Sequence, residues 1–220
     1  MPNWVFSVLT VTAPTRKPRK GRDDGLALDK YGRVSDLRDF TLSVETPDGY
    51  ERRNGDAERI PFDFEAIIPT PLELYNLEKS FFSDKAKQLE QKAAERAMIK
   101  KHGQATAYDF HVEKWGTKWN ACDCTIDGPW QVDPEKFTIA GAEVQVTKRT
   151  HTITYRFNTA WSPAWPVILE VSRKWPKFSF VYDCEEEAWM FDGFEARVKA
   201  GEVTRQTVRP YQPDEEEGDE

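Results

Sequence analysis

The sequence predicts an α+β protein in which an antiparallel sheet is backed by helices on one face. Two observations support this class: short runs alternate apolar and polar residues, and two separate segments have helical features. Their order is a third, because it runs strand, helix, strand, strand, helix, strand. At 220 residues the chain has the length of one large domain, and its 13 Phe and 8 Trp can fill a dense core.

The first predicted strand covers residues 3–12 and ends before Ala13-Pro14. Residues 15–60 are expected to form a loop-rich basic insertion, because Gly-containing turn signals interrupt them repeatedly. Within and after this insertion, residues 40–44 (FTLSV) and 62–66 (FDFEA) alternate as short strands would. Both runs are therefore predicted to be extended.

The clearest helix signal spans residues 83–102. Ser83 suits its N-terminal cap, and Gly103 suits the position just after its C-terminus. One narrow apolar stripe predicts that this helix packs closely on another element; it consists of Phe82, Ala86, Leu89, Ala93 and Ala97.

The remaining elements follow the same alternation: strands at 119–126, 143–147 and 151–157, a helix at 163–174 that begins with Ser162-Pro163, then strands at 178–184 and 189–198. This order is the ferredoxin-like split βαβ arrangement with an extra C-terminal hairpin strand. We expect a single domain over residues 1–203, followed by an acidic, disordered tail over residues 204–220.

Charge and composition restrict the class of partner and the location. The net charge is −7, although residues 16–22 (RKPRKGR) are strongly basic and residues 214–220 (DEEEGDE) strongly acidic. This balance argues against a nucleic-acid clamp. The sequence has no apolar run of about 18 residues, no signal-peptide pattern at its start, and too few cysteines for a disulfide framework. We therefore expect a cytoplasmic protein.

Four segments carry a family resemblance: MPNW at the start, FDFEAIIPTP at 62–71, WGTKWNA at 115–121 and FNTAWSPAWPV at 157–167. In this order and spacing the chain resembles the YubB-type ferredoxin-like family, whose members occur on bacteriophages and conjugative plasmids. The stretch KFSFVYDCEEEAWMFDG fits the same pattern. The resemblance covers residues 1–14 and 60–195, and it implies a ferredoxin-like fold and a mobile-element origin. It implies no enzymatic activity.

One constellation of residues is the leading candidate for partner binding: Trp115, Lys118, Trp119, Trp161, Ser162 and Trp165. Half of the set leads into one predicted strand and half leaves another, so the two halves meet at one end of the sheet if those strands pair. Indole faces beside a lysine can bind a peptide, a planar group or a cation. Alternatively, the same rings complete the core and hold the second helix.

Catalytic and cofactor motifs are missing from the sequence. No histidine lies in an HExxH or GxSxG pattern, and there is no glycine-rich phosphate loop. A metal set of cysteines and one histidine lacks the spacing of a zinc knuckle, so structural cysteines are favoured; the residues are Cys122, Cys124, Cys184 and His111. We predict no enzyme, no cofactor and no metal.

Two functions are favoured over a third that also remains open, a small-molecule or metal-dependent enzyme. The leading expectation is a non-enzymatic binding protein that acts on a host protein, for example as an anti-CRISPR-like inhibitor of a host defence system. The alternative is a nucleic-acid-binding module that stacks bases on sheet aromatics and uses a basic arm, made of Arg16, Lys17, Arg19, Lys20 and Arg22. We expect several of the sheet aromatics to face the helices instead, which weakens this alternative; they are Tyr155, Phe157, Phe178 and Phe180.

Overall fold

The computed structural model describes residues 3–16, 34–35, 37–46, 59–77, 85–127, 137–139, 142–146, 150–186 and 193–209. The predictions for the basic arm beyond Arg16 and for the acidic residues 210–220 lie outside these ranges.

Nine strands and six α-helices make up the described part of the chain. The strands are β1 (Trp4–Arg16), β2 (Val34–Ser35), β3 (Cys122–Asp127), β4 (Phe137–Ile139), β5 (Ala142–Val146), β6 (Thr150–Ala160), β7 (Ser179–Glu186), β8 (Gly193–Lys199) and β9 (Glu202–Arg209). The helices are α1 (Leu37–Val44), α2 (Phe64–Ile67), α3 (Leu72–Tyr75), α4 (Lys85–His102), α5 (Ala107–Phe110) and α6 (Trp165–Lys174), and a π-helical turn (His111–Trp115) follows α5.

The strand order identifies the fold. β1 lies between β6 and β7, and β3 pairs with β6 on the side away from β1. All of these pairings are antiparallel, so the order β3-β6-β1-β7 is that of a ferredoxin-like sheet. The predicted fold class is confirmed. β8 and β9 continue the sheet beyond β7 as an added hairpin.

One face of this sheet forms the core. Along β1, Val5, Leu9 and Val11 are buried and alternate with partly or fully exposed residues. α6 covers this face with Val167, Ile168 and Val171. The aromatic side chains that were expected to face the helices are all buried, which confirms that expectation: Tyr155, Phe157, Phe178 and Phe180. The opposite face of the central strands, which carries Phe6 and Arg156, is called the open face below.

Two segments predicted as strands are helical. In α1, Phe40 and Val44 are buried four residues apart while Leu42 is half exposed, which is the spacing of a helix and not of a strand. In the second segment, the Asp63 side chain accepts a hydrogen bond from the backbone N–H of Glu65 and caps α2. The alternating Phe62 and Phe64 gave a misleading period because Asp63, the polar residue between them, is also buried.

The alanine stripe of α4 does not pack as predicted. None of the residues of α4 is buried, and Leu89 is 63% exposed. The residue of α4 that packs on the rest of the protein is instead Met98, which contacts a small cluster that includes Leu74 and Phe110. The C-terminal end agrees with the sequence, since α4 ends at His102 and Gly103 has a φ of +80°.

The last strand extends past residue 203, the predicted end of the domain. β9 continues to Arg209 and is exposed along its whole length. Because it lies at the edge of the sheet, it shows no apolar alternation that could reveal it. A two-residue turn with positive φ at Ala200 (+52°) and Gly201 (+84°) joins it tightly to β8.

Candidate functional site

Two tryptophan-rich segments meet at one end of the sheet. There β6 ends, and residues 116–121 lead into β3. The Thr117 hydroxyl donates to the carbonyl of Ala160 (2.8 Å) and accepts from its N–H (3.1 Å). The Ser162 hydroxyl donates to the carbonyl of Gly116. These bonds place the two halves of the predicted constellation side by side.

Trp115 belongs to the core, contrary to its predicted place on the binding surface. It is 1% exposed, and its indole N–H donates to the carbonyl of Ile68 at 2.9 Å. The ring stacks on His111 with a centroid distance of 3.8 Å and an interplanar angle of 6°. The π-helical turn directs Trp115 inward, and Gly116 then reverses the chain at a φ of +79°.

Trp165 and Ser162 also have structural contacts. The half-buried Trp165 ring stacks on Phe194 at 4.9 Å and meets Tyr182 edge-on at 5.4 Å. Through these contacts it attaches the start of α6 to β7 and β8. Together with the Ser162 hydroxyl, Trp165 supports the alternative in which part of the constellation holds the second helix.

Five aromatic residues near this end of the sheet, four of them exposed and Trp4 half-buried, are called the aromatic patch below: Trp4, Phe6, Tyr108, Trp119 and Trp161. Trp119 is 39% and Trp161 52% exposed, and Trp4 lies 5.9 Å from Trp119 between ring centroids. The Lys118 ammonium lies 4.9 Å from the centroid of Trp119 and 5.7 Å from that of Tyr108. One lysine therefore lies over two exposed rings, an arrangement that cation–π attraction stabilises.

Trp161 is held in an unfavourable backbone conformation. Its φ of +74° lies in the left-handed region, which bulky residues rarely adopt. Its N–H donates to the carbonyl of Asn3 at 2.9 Å, and the Thr159 hydroxyl donates to the carbonyl of Ser162 at 2.8 Å. The surrounding hydrogen bonds thus hold an exposed indole in place, and strain of this kind concentrates at functional positions.

The charges beside the patch are mixed. On β7, Glu185 stands opposite Phe6 and Asp183 stands opposite Val8, while Arg156 of β6 flanks Val8 from the other side. Asp183 accepts a charged hydrogen bond from Arg209 at 2.5 Å. This part of the open face is therefore no basic platform of the kind that binds a phosphate backbone.

A half-buried histidine, considered above only as a metal ligand, supports the segment that leads into the patch. Burial lowers the pKa of His111 to about 4, so the ring is neutral at pH 7. Its Nδ1–H donates to the carbonyl of Lys118 at 3.2 Å, and its Nε2 accepts from the Thr70 hydroxyl at 3.1 Å. His111 thereby fixes the segment that carries Lys118 and Trp119. The stacking partner four residues along is a signal that sequence reasoning could have used.

The cysteines have the environment of structural residues. Burial raises the pKa of the Cys124 thiol to about 12, and it also raises the pKa of Cys184. Within the described ranges, no three His, Cys, Asp or Glu side chains are placed to hold one metal ion. No helix among the described residues is both long enough and apolar enough to cross a membrane.

Comparison with known proteins agrees with the ferredoxin-like class that the strand order defines. A family model described as the ferredoxin-like domain in Api92-like protein matches residues 142–220. The match contains β5 to β9 with α6, and it includes the C-terminal segment for which the sequence resemblance offered no counterpart. β1, which lies between β6 and β7, precedes the matched residues.

A crystal structure of protein api92 from Yersinia pseudotuberculosis is similar over 97% of this chain and 100% of that chain, with a TM-score of 0.41 and 9% sequence identity. No curated protein matches the sequence.

Proposed function

We propose that this chain is a non-enzymatic binding protein that contacts a protein partner through the aromatic patch. The observation that carries the proposal is Trp161, an indole that is half exposed and held at positive φ. A strained residue of this kind costs about 1–3 kcal/mol. Exposing the ring adds nothing to folding, whereas tryptophan and tyrosine are the residues that dominate the energetics of protein interfaces.

The chemistry of the patch favours a protein surface as its partner. Its rings offer apolar area with two polar handles, the indole N–H and the phenol O–H, as in the centres of protein interfaces. Lys118 supplies one cation over the Tyr108 and Trp119 rings, and it suits a carboxylate or a carbonyl of the partner. The acidic residues of β7 nearby, Asp183 and Glu185, disfavour a polyanion.

The family resemblance supports a biological setting for this binding. Members of the YubB-type family, which this chain resembles, occur on bacteriophages and conjugative plasmids. The proposed partner is therefore a host protein in the bacterial cytoplasm. Inhibition of a host defence system, in the manner of an anti-CRISPR protein, is the proposed consequence. Binding alone suffices for such inhibition, so the proposal requires no catalytic group.

Affinity capture with matched variants tests the proposal. Immobilised full-length protein is exposed to bacterial lysate at physiological salt, beside the variants Trp161→Gly and Trp119→Ser and the control Leu89→Ser. Leu89 is an exposed apolar residue on α4, which carries none of the patch residues. We expect one partner to be retained by the wild type and the control and lost from both patch variants. Equal retention by all four proteins, or no specific retention, would refute the proposal.

One observation favours nucleic acid as a second candidate. Trp4 and Phe6 project from the open face of β1, a central strand, where RNA-recognition domains of this topology stack bases. This candidate predicts a gel shift with single-stranded RNA or DNA at low salt that disappears when the basic residues of 16–22 are neutralised. A shift that patch variants abolish would favour it over a protein partner.

A further inference from the structure

β9 is the outermost strand on one side of the described sheet. It pairs with β8 along one edge, and the described residues contain no partner for its other edge. An unpaired edge presents a row of backbone N–H and C=O groups that can pair with another strand. All eight residues of β9 are exposed, so its side chains are accessible to such a partner.

The sequence of β9 is complementary to itself when it is read in the opposite direction. In EVTRQTVR, antiparallel alignment places Glu202 opposite Arg209, Val203 opposite Val208 and Thr204 opposite Thr207. Each of these pairs is favourable across two strands: an opposite-charge pair, a β-branched apolar pair and a threonine pair. We propose that β9 pairs antiparallel with β9 of a second copy of this chain, which joins the two sheets about a two-fold axis.

A β-bulge at Thr204 makes the two outer pairs of this register compatible with the two faces of the sheet and places Thr207 of the other copy opposite the bulge. Val203 lies opposite Val198 and Val208 lies opposite Phe194, and both of these β8 residues are buried. In a regular strand, residues five apart point to opposite faces. The register shift beside Val198 adds one residue to β9 and returns both valines to the core side.

The two-fold symmetry then brings matching groups together on each face. A two-fold axis perpendicular to the sheet keeps the core side of one copy next to the core side of the other. Val203, 44% exposed, meets Val208, 53% exposed, and both valines lose water contact. On the open face, Glu202 meets Arg209. Because of the two-fold symmetry, each pair forms twice in the dimer.

Arg209 has a partner within its own chain. One of its terminal nitrogens is bonded to Asp183 of β7, and its guanidinium lies over Gly193 of β8, on the side of β9 away from the free edge. Pairing with Glu202 of the other copy therefore exchanges the bond to Asp183 for one across the new strand pair. The contact is short, so we expect a concentration-dependent dimer and not a permanent one. This inference is independent of the aromatic patch.

Cross-linking between two cysteine variants tests the register directly. Full-length Thr204→Cys and Thr207→Cys proteins are oxidised separately and as an equimolar mixture, beside the wild type with its three native cysteines. Because residue 204 faces residue 207 of the other copy, only the mixture should give covalent dimers above the wild-type level. Cross-linking of either variant alone to the same extent as the mixture would overturn the proposed register.

Sedimentation analysis tests the charge pair. Glu202→Arg is expected to raise the dissociation constant of the dimer about tenfold at low salt. The control Glu113→Arg makes the same charge change at an exposed glutamate outside β9. Because the chain carries a net charge of −7, a general charge effect would strengthen association in both variants. A wild type that remains monomeric at all concentrations, or equal effects of the two variants, would overturn the proposal.

Discussion

The backbone N–H of Trp161 donates a hydrogen bond to the carbonyl of Asn3 over 2.9 Å and so ties the end of β6 to the residue that precedes β1. This bond stabilises Trp161 at a φ of +74° while its indole remains 52% exposed. The conformation is therefore imposed by the fold on a residue that contributes little to the core.

The cost of this conformation can be measured with two substitutions at one position. Trp161→Gly and Trp161→Ala lose the same indole, but only alanine keeps the penalty for positive φ. We expect the glycine variant to be more stable than the alanine variant by about 1–2 kcal/mol in urea unfolding. Equal stabilities would show that the left-handed conformation stores no strain.

Replacing Trp115 should cost far more stability than replacing Trp119, because Trp115 lies in the core and Trp119 on the surface. Trp115→Ala removes a buried ring, its stack on His111 and its bond to Ile68, so we expect it to cost about 3–5 kcal/mol. Trp119→Ala removes a ring that is 39% exposed and should cost about 1 kcal/mol or less. Chemical denaturation of the two variants checks the difference. Similar costs would contradict the assignment of Trp115 to the core.

Two buried tyrosines should respond oppositely to loss of the hydroxyl. The hydroxyl of Tyr155 is buried without a hydrogen-bond partner among the described residues. The hydroxyl of Tyr182 bonds Ser7 at 3.0 Å and the N–H of Ala164 at 3.3 Å. We expect Tyr155→Phe to stabilise the fold by about 1 kcal/mol and Tyr182→Phe to destabilise it by about 1 kcal/mol. Thermal unfolding of the two variants measures these stability changes. If Tyr155→Phe destabilises the fold, the Tyr155 hydroxyl has a hydrogen-bond partner.

The depressed pKa of His111 predicts acid sensitivity. The unfolded chain takes up the proton near the ordinary pKa of 6.5, whereas the folded protein resists it until about pH 4, even with Glu65 at 3.9 Å and Tyr75 beside it. The stability that neutral His111 provides is therefore complete above pH 6.5 and is lost as the pH falls towards 4.

By this linkage the wild type should lose about 2 kcal/mol between pH 7 and pH 5 from His111 alone. The variant His111→Phe keeps an aromatic ring against Trp115 but removes the titration, so its stability should change by about 2 kcal/mol less over the same range. Urea unfolding at the two pH values checks this difference. If both proteins lose the same stability between pH 7 and pH 5, a group other than His111 takes up the proton.

Secondary structure could be predicted from the sequence where one face of an element is buried and the other is exposed to solvent. β1, β6 and β7 show this alternation, and α6 shows an apolar face, so the ferredoxin-like order could be predicted from them. α1 was missed because Thr41 and Glu45 are buried polar residues that hide the helical period. β9 was missed because an edge strand with both faces exposed carries no apolar pattern.

The candidate site was predictable in position and not in detail. The pairing of β3 with β6 follows from the fold, and it brings the two tryptophan segments together. The difference between buried Trp115 and exposed Trp119 depends on the π-helical turn and on the positive φ of Gly116. Neither feature has a sequence signature that separates two tryptophans four residues apart.

Hydroxyl-radical footprinting of the tryptophans, with and without the captured partner, tests the central claim most directly. In the free protein Trp119 and Trp161 should be oxidised readily and Trp115 slowly, because their exposures differ. On binding, Trp119 and Trp161 should become protected, whereas exposed Leu89 on α4 should not change. If both rings stay as reactive in the complex as in the free protein, the aromatic patch is not the binding surface.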